Sequence, residues 1–285
     1  MDIQLLETFL VVCEEGNLSR AAVRLFRTQP AVTRQIQALE TELGLRLLER
    51  NPRGVQPTAQ GEELRLRAAR ILAELRSLAD LGAPDGGPTG ELLFACSDNV
   101  ACHFLAPFLG RFAQECPRVR MQVHSGVTPG IANLVERGAC ELGIVLLPLR
   151  NPKLEFKPLL TYHHLAVYPP GQRPEGESTT LEALCDRPLV LLTRESATRR
   201  SFDEAVSAKG LQAMQALEVG SVPVQKAMIR AGLGAGILPG YALEARDGLE
   251  HLPIEGAHPK TLALCWQKSR TLSPAAEHMA RMLGG

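Results

Sequence analysis

Gln29, Thr33, Arg34 and Gln37 fall at spacings that place all four on one side of a helix. Amide, hydroxyl and guanidinium groups presented together are the side chains that hydrogen-bond base edges in a DNA major groove. Arg20, Arg24, Arg27 and Arg34 lie between Gly16 and Leu39 with no intervening acid. Residues 16–60 hold seven Arg against three Glu, although the whole chain balances 31 basic against 31 acidic residues. Such a local excess is the electrostatic footprint of phosphate binding. A second set recurs further on: Ser97-Asp98-Asn99, Ser125-Gly126-Val127-Thr128, Thr193-Arg194-Glu195-Ser196 and Ser221-Val222-Pro223 each follow an apolar run and precede a helix-length stretch. Small polar residues there either cap the helix or, with backbone N–H groups, hold a small polar ligand beyond the strand ends.

The elements that must position the first set are short helices. Ile3, Leu6, Phe9, Leu10 and Cys13 give one by their spacing. Asn17 or Ser19 caps a second, with Ala21, Ala22, Leu25 and Phe26 as its buried face. Thr28 caps a third, with Pro30 in its first turn, Val32, Ile36, Leu39 and Leu43 inside, and Gly44 as its stop. A second and third helix joined by a tight turn is the helix-turn-helix layout. Two short extended pieces follow about a Pro/Gly turn, with Arg50 and Arg53 at the tip suited to phosphate or minor-groove contact. Thr58 then caps a long helix to Leu81, in which Leu64, Ala68, Ile71, Leu75 and Leu78 form a heptad seam. The seam is buried either by a second copy in a coiled coil or against its own domain.

Gly82–Gly90 is the densest Gly/Pro cluster and reads as a hinge. Beyond it, apolar runs of strand length (Leu92–Cys96, Val119–His124, Leu142–Leu147, Leu165–Tyr168, Leu189–Leu192, Leu217–Val219, Ala235–Leu238, Leu262–Trp266) alternate with amphipathic stretches. That alternation predicts an α/β fold with parallel sheets covered on both faces.

Several functions are excluded. The longest apolar run, Leu142–Leu149, is far short of the roughly 20 residues of a membrane span, and Met1–Glu7 carries no basic region of a secretory signal. Seven scattered Cys form no C-x-x-C pair and read as reduced thiols of a soluble, cytoplasmic chain. There is no nucleophile elbow, Walker loop or metal-spaced cluster, so neither catalysis, cofactor nor metal is assigned. Cys102-His103 and His163-His164 read as exposed or capping residues.

Leu18–Ala22, Thr28–Arg50 and Pro57–Gly61 resemble the LysR-type transcriptional regulators. Leu105–Phe112, Gly138–Ile144 and Ala231–Pro239 extend the resemblance along the full length. It implies a winged helix-turn-helix (1–58), a dimerising linker helix (59–81), a hinge (82–90) and an effector domain (91–285) resembling periplasmic binding proteins. Two subdomains, about 91–160 with 266–285 and about 161–265, flank its cleft. The DNA-binding set is then Arg20, Thr28, Gln29, Pro30, Thr33, Arg34 and Gln37, with Arg50 and Arg53 on the wing. The effector set is Ser97, Asp98, Asn99, Ser125, Gly126, Thr128, Thr193, Glu195, Ser196, Val222 and Pro223. Partners implied are double-stranded promoter DNA, a small-molecule effector, further copies of the chain as a homodimer or homotetramer, and RNA polymerase. Members commonly carry Thr or Ser where Asn99 stands, and Asp98 adds a negative charge, which suits an amino acid or another small carboxylate of zwitterionic type. A peroxide-sensing branch keeps a reactive Cys after the strand at Leu189–Leu192; that loop has none here, leaving Cys96 or Cys102 for a thiol-responsive alternative.

Overall fold

A computed structural model describes residues 2–51, 54–79 and 87–284. The chain divides into two compact units, residues 1–91 with 118–120, and the remainder.

The first unit is built from α1 (Ile3–Glu15), α2 (Leu18–Arg24), α3 (Gln29–Leu43), the antiparallel hairpin β1 (Leu48–Asn51) and β2 (Gly54–Pro57), and α4 (Ala59–Ala79). Asp2 caps α1, Asn17 caps α2, and Gly44 ends α3 in the left-handed conformation. Leu6, Phe9, Val12, Ala21, Ala22, Val32, Ile36 and Leu39 form the core with Leu47, Leu48 and Val55 of the hairpin. The Val55 N–H donates to the Gly16 carbonyl at 2.8 Å, tying the wing to the α1–α2 turn.

One expectation fails in this unit. Phe26 does not join the buried face of α2: it is 98% exposed, with Val23 76% exposed one turn before it. The helix ends at Arg24, and Phe26 takes φ +53°, which swings its side chain off the core face. A left-handed non-glycine residue costs about 1–2 kcal/mol, and glycine recovers this less roughly 0.5–1 kcal/mol of chain entropy. Phe26→Gly is therefore expected to stabilise the unit by about 0.5–1 kcal/mol, read as a higher midpoint for helix loss in far-ultraviolet circular dichroism; a lower midpoint would show the ring is packed. The heptad seam, for which the sequence leaves two coverings open, is divided. Ala68 is buried in the unit's own core and Leu64 packs against it, while Ile71 remains 41% exposed and Leu75 half-buried. The Leu78 side chain lies outside the described residues. The upper part of the seam is thus used within the chain.

The second unit holds β3 (Gly90–Cys96), α5 (Asp98–Val100) running through a π turn at Ala101–Leu105 into α6 (Ala106–Glu115), β4 (Val119–Ser125), α7 (Thr128–Glu136), β5 (Leu142–Leu147) and β6 (Leu154–Tyr162). β7 (His164–Tyr168), α8 (Leu181–Cys185), β8 (Leu189–Leu192), α9 (Ala197–Ala208), β9 (Gln215–Val219), α10 (Val222–Arg230), β10 (Gly236–Pro239) and β11 (Glu250–Pro253) follow, and then β12 (Lys260–Gln267) and α11 (Pro274–Gly284). One sheet has the order β4-β3-β5-β12-β6. The other joins β10-β7-β11 to β8-β9 through a bridge between Leu189 and Ala235. The sheets are mixed, not all-parallel: β3–β5 and β8–β9 are parallel, but β12 runs antiparallel to β5 and β6, and β7 antiparallel to β10 and β11. β8 and β10 are buried along their whole length, with α8 and α9 on one face and α10 on the other. The chain crosses between the sheets at Tyr162–His164 and again between Pro253 and Lys260, so the first subdomain resumes at β12, earlier than the expected 266.

Candidate nucleic-acid interface and effector cleft

On α3, Thr28, Gln29, Pro30, Arg34 and Gln37 are exposed, and Thr33 is half-buried with its Oγ1 accepting from Gln29 Nε2 at 3.0 Å. This is one continuous polar face, as the spacing predicts. Thr28 occupies the N-cap position without a side-chain cap bond. It therefore does not cap as expected, and the positive end of α3 stays open to an anionic partner.

The acid-free stretch of sequence is not acid-free in space. Arg24 meets Glu14 at 2.7 Å and Glu15 at 3.1 Å, and Arg20 meets Glu15, because the C-terminal turn of α1 lies beside α2. Among the described residues Arg34 and Arg46 meet no carboxylate. Arg53 and the Arg50 side chain lie outside the described residues, although the backbone of Arg50 pairs with Val55 in the wing.

In the second unit the predicted loops come together in pairs. The Ser125 hydroxyl donates to Asp98 Oδ1, and the Gly126 N–H donates to the Cys96 carbonyl at 3.0 Å, which joins the loops after β3 and β4. The Thr193 N–H donates to the Val219 carbonyl at 3.0 Å, which joins those after β8 and β9. Arg199, buried at the start of α9, anchors this second pair. It donates to the Leu192 carbonyl at 2.9 Å, Glu218 at 3.1 Å, Gln215 at 3.0 Å and Asp203 at 2.8 Å. Sequence reading missed it, since its spacing fits an ordinary helical face.

The two subdomains meet at side chains the sequence did not single out. The Tyr162 and Tyr241 rings stand edge to face with centroids 4.8 Å apart. His103, in the π turn, has a side chain only 10% exposed, with Nδ1 3.9 Å from Glu244 Oε1. Neither of its ring nitrogens has a hydrogen-bond partner. Burial, and then the nearby Lys226 ammonium, hold its pKa below the ordinary histidine value. His164 is buried at the crossing, where desolvation, then Lys260 and His163, push it down to about 4. Both histidines are thus inside, contrary to the expectation of exposed or capping roles, because the crossing strands and the π turn place them where the subdomains meet.

Helix caps separate the structural ends from the open ones. Side chains cap α1 (Asp2), α2 (Asn17), α4 (Thr58), α5 (Ser97), α8 (Thr180) and α11 (Ser273). No side-chain cap bond is made at α3, or at α7, α9 and α10, which begin at three of the four predicted effector loops. Ser97 therefore does the bland structural job. Thr128 is also engaged, accepting from the Leu146 N–H at 3.1 Å.

Residues 3–62 match the family model of the bacterial regulatory helix-turn-helix protein, lysR family, and residues 85–285 match that of the LysR substrate binding domain. The chain belongs to the LysR family. It is 30% identical over 277 residues to the uncharacterized HTH-type transcriptional regulator YfeR of Shigella flexneri, covering 95% of this chain and 90% of that one. It is 32% identical to the regulator cbl of Escherichia coli, covering 79% and 72%. A full-length OxyR variant from Pseudomonas aeruginosa shares the fold with TM-score 0.73 at 22% identity, covering 99% and 93%. Full-length CbnR complexed with its target DNA does so with TM-score 0.70 at 24% identity, covering 99% of each chain. As a LysR-type regulator the chain is a DNA-binding transcriptional regulator with a C-terminal effector domain, of mixed α/β build. Among the described residues no helix is long and apolar enough to cross a membrane.

Proposed function

We propose that α3 enters the major groove of promoter DNA through Gln29, Thr33, Arg34 and Gln37, with Thr28, Pro30 and the wing arginines Arg50 and Arg53 on the backbone. A small zwitterion, an amino acid or another small carboxylate, binds in the cytoplasm between the two loop pairs of the effector domain. Ser125, Gly126, Thr193, Glu195, Ser196 and Pro223 line that site, with Ser97, Asp98, Asn99 and Thr128 shaping its near wall; Val222, expected in the set, is fully buried and packs in the core beneath α10 instead. The observation that carries this reading is the capping pattern: the helices left open are α3 and those at three of the four cleft loops. Open N-termini favour a carboxylate, and Asp98 favours a cationic group beside it.

Ligand binding favours one closure of the cleft and so changes affinity for operator DNA by a coupling free energy. Self-association, as a dimer or tetramer, uses the lower part of α4 around Ile71, Leu75 and Leu78, and RNA polymerase is the downstream partner. Burial pushes Cys96 up to about 12, far from a reactive thiolate, which leaves a thiol-responsive reading to Cys102, exposed on the π turn.

The groove reading is tested on duplexes that the protein enriches from a random pool. Arg34→Ala is expected to cost about 1–3 kcal/mol of binding and to relax base preference at one position. Arg24→Ala, already paired with Glu14 and Glu15, is expected to change little. Wild-type binding by Arg34→Ala would refute the assignment of α3.

A further inference from the structure

Beside the reading face, α3 and the hairpin enclose an open cleft of about 220 Å³. Ile36 and Leu48 form part of its apolar floor, and Thr33, Gln37, Glu40 and Arg46 supply its polar lining. Arg46 stands in the α3–β1 connection; it belongs to the Arg excess of residues 16–60 but is not among the residues named for DNA contact.

Its backbone is fixed from both sides. The Thr58 hydroxyl donates to the Arg46 carbonyl at 2.8 Å, while the next two residues, Leu47 and Leu48, donate their N–H groups to Glu40 Oε1 at 2.7 and 3.2 Å. Those two bonds hold the Glu40 carboxylate at the floor of the cleft, and it makes no ion pair with Arg46 among the described residues. The Arg46 side chain is exposed at the mouth, on the same cleft as Thr33 and Gln37. Arg20 and Arg24, on the far side of the motif, are instead neutralised by Glu14 and Glu15. Arg46 on the wing side, like Arg34 on α3 and Arg27 in the α2–α3 turn, which donates only to the Gln4 amide, keeps its positive charge uncompensated by a carboxylate among the described residues.

A helix lying in the major groove has a phosphate backbone along each side. With α3 so placed, the DNA strand between α3 and the wing passes over the mouth of this cleft. We propose that Arg46 grips a phosphate of that strand and so sets the register in which Thr33 and Gln37 meet the bases. The assignment rests on α3 being the helix in the groove. A guanidinium on a fixed backbone suits the task, since its planar fork presents several donors to phosphate oxygens.

The test measures duplex binding across a salt series for the full-length protein, on sequences enriched by the wild type and on scrambled duplexes of the same length. Arg46→Ala is expected to weaken both alike and to reduce the slope of log affinity against log salt by about 1. Arg46→Lys is expected to keep most of the slope, and Arg24→Ala all of it. An unchanged slope for Arg46→Ala, alongside a loss of base preference in Arg34→Ala, overturns the phosphate grip and leaves α3 in the groove. If Arg46→Ala weakens only the enriched sequences with the slope intact, Arg46 reads a base and the proposal is wrong. Both variants binding like wild type would overturn the groove reading and the grip together.

Discussion

Replacing Gly61 by alanine is expected to destabilise the N-terminal unit by about 3 kcal/mol, at the upper end of overpacking costs. Gly61 lies in the first turn of α4, directly against the backbone of the segment entering β1. A methyl group there runs into the Leu47 carbonyl oxygen and stands 3.0 Å from its carbon and 3.2 Å from Pro57 Cβ. None of these is a flexible tip that could turn aside. The Leu47 carbonyl also accepts the Thr58 N–H at 2.9 Å, so displacing it loosens the cap of α4 and the connection that carries Arg46. Gly110 provides the contrast: it is also helical, within α6, but a methyl group added there meets open space. Gly110→Ala is expected to stabilise its unit by about 0.5–1 kcal/mol through helix propensity. The sole Trp, Trp266, and all three Tyr belong to the effector unit, so hydrogen exchange of residues 3–57 is the readout for Gly61→Ala. Unaltered protection there would mean that α4 does not pack on β1 as described.

Acid is expected to weaken the effector unit through His164. In the folded chain its pKa is pushed down to about 4 by burial, while in the unfolded chain it returns to about 6.5. The unfolded state therefore takes up the proton first as pH falls. The stabilisation is fully present above about pH 6.5 and is lost progressively toward pH 4. At 1.36 kcal/mol per unit the loss is on the order of 3 kcal/mol. His103, lowered for the same first cause, adds a contribution of the same sign. His164→Phe keeps a ring beside Tyr162, whose centroid is 5.6 Å away, and removes an Nε2 that has no partner. Urea denaturation followed by Trp266 fluorescence should show the wild type losing stability between pH 6.5 and 4, and the variant losing less by that amount. Parallel pH profiles for the two proteins would contradict a buried neutral His164.

Most of this architecture is legible in the sequence, and the failures share physical causes. The inner face of α3 is right because Val32, Ile36 and Leu39 repeat at helical spacing and all three are buried. Phe26 fails because periodicity assumes that the helix continues, whereas α2 ends two residues earlier. Leu64 and Ala68 fit a heptad, but a heptad says only that a seam must be buried, not by what; here the α1–α3 core takes its upper end. β6 escapes notice because it is an edge strand, half-exposed and interrupted by Pro158, which only an edge tolerates. β12, buried and apolar, is visible as a strand, yet its antiparallel direction leaves no trace in composition. At the cleft, loop position was readable from Ser, Thr and Asn before helices. Which of these residues cap, and which leave a helix end open, was not, because one residue type serves both purposes.

The proposed function places a ligand at the open ends of α7, α9 and α10. The direct measurement is thermal unfolding of the full-length protein, followed by Trp266, against a panel of amino acids and small carboxylates. A ligand at 100 times its Kd adds about 2.7 kcal/mol, which is roughly 5–10 °C for a unit of this size. The expected result is a panel member that raises the midpoint by that much in the wild type and far less in the Ser196→Ala, Ser221→Ala double variant. A shift that survives undiminished in the double variant, or a flat panel from protein that still binds its enriched duplexes, would contradict the cleft as the effector site.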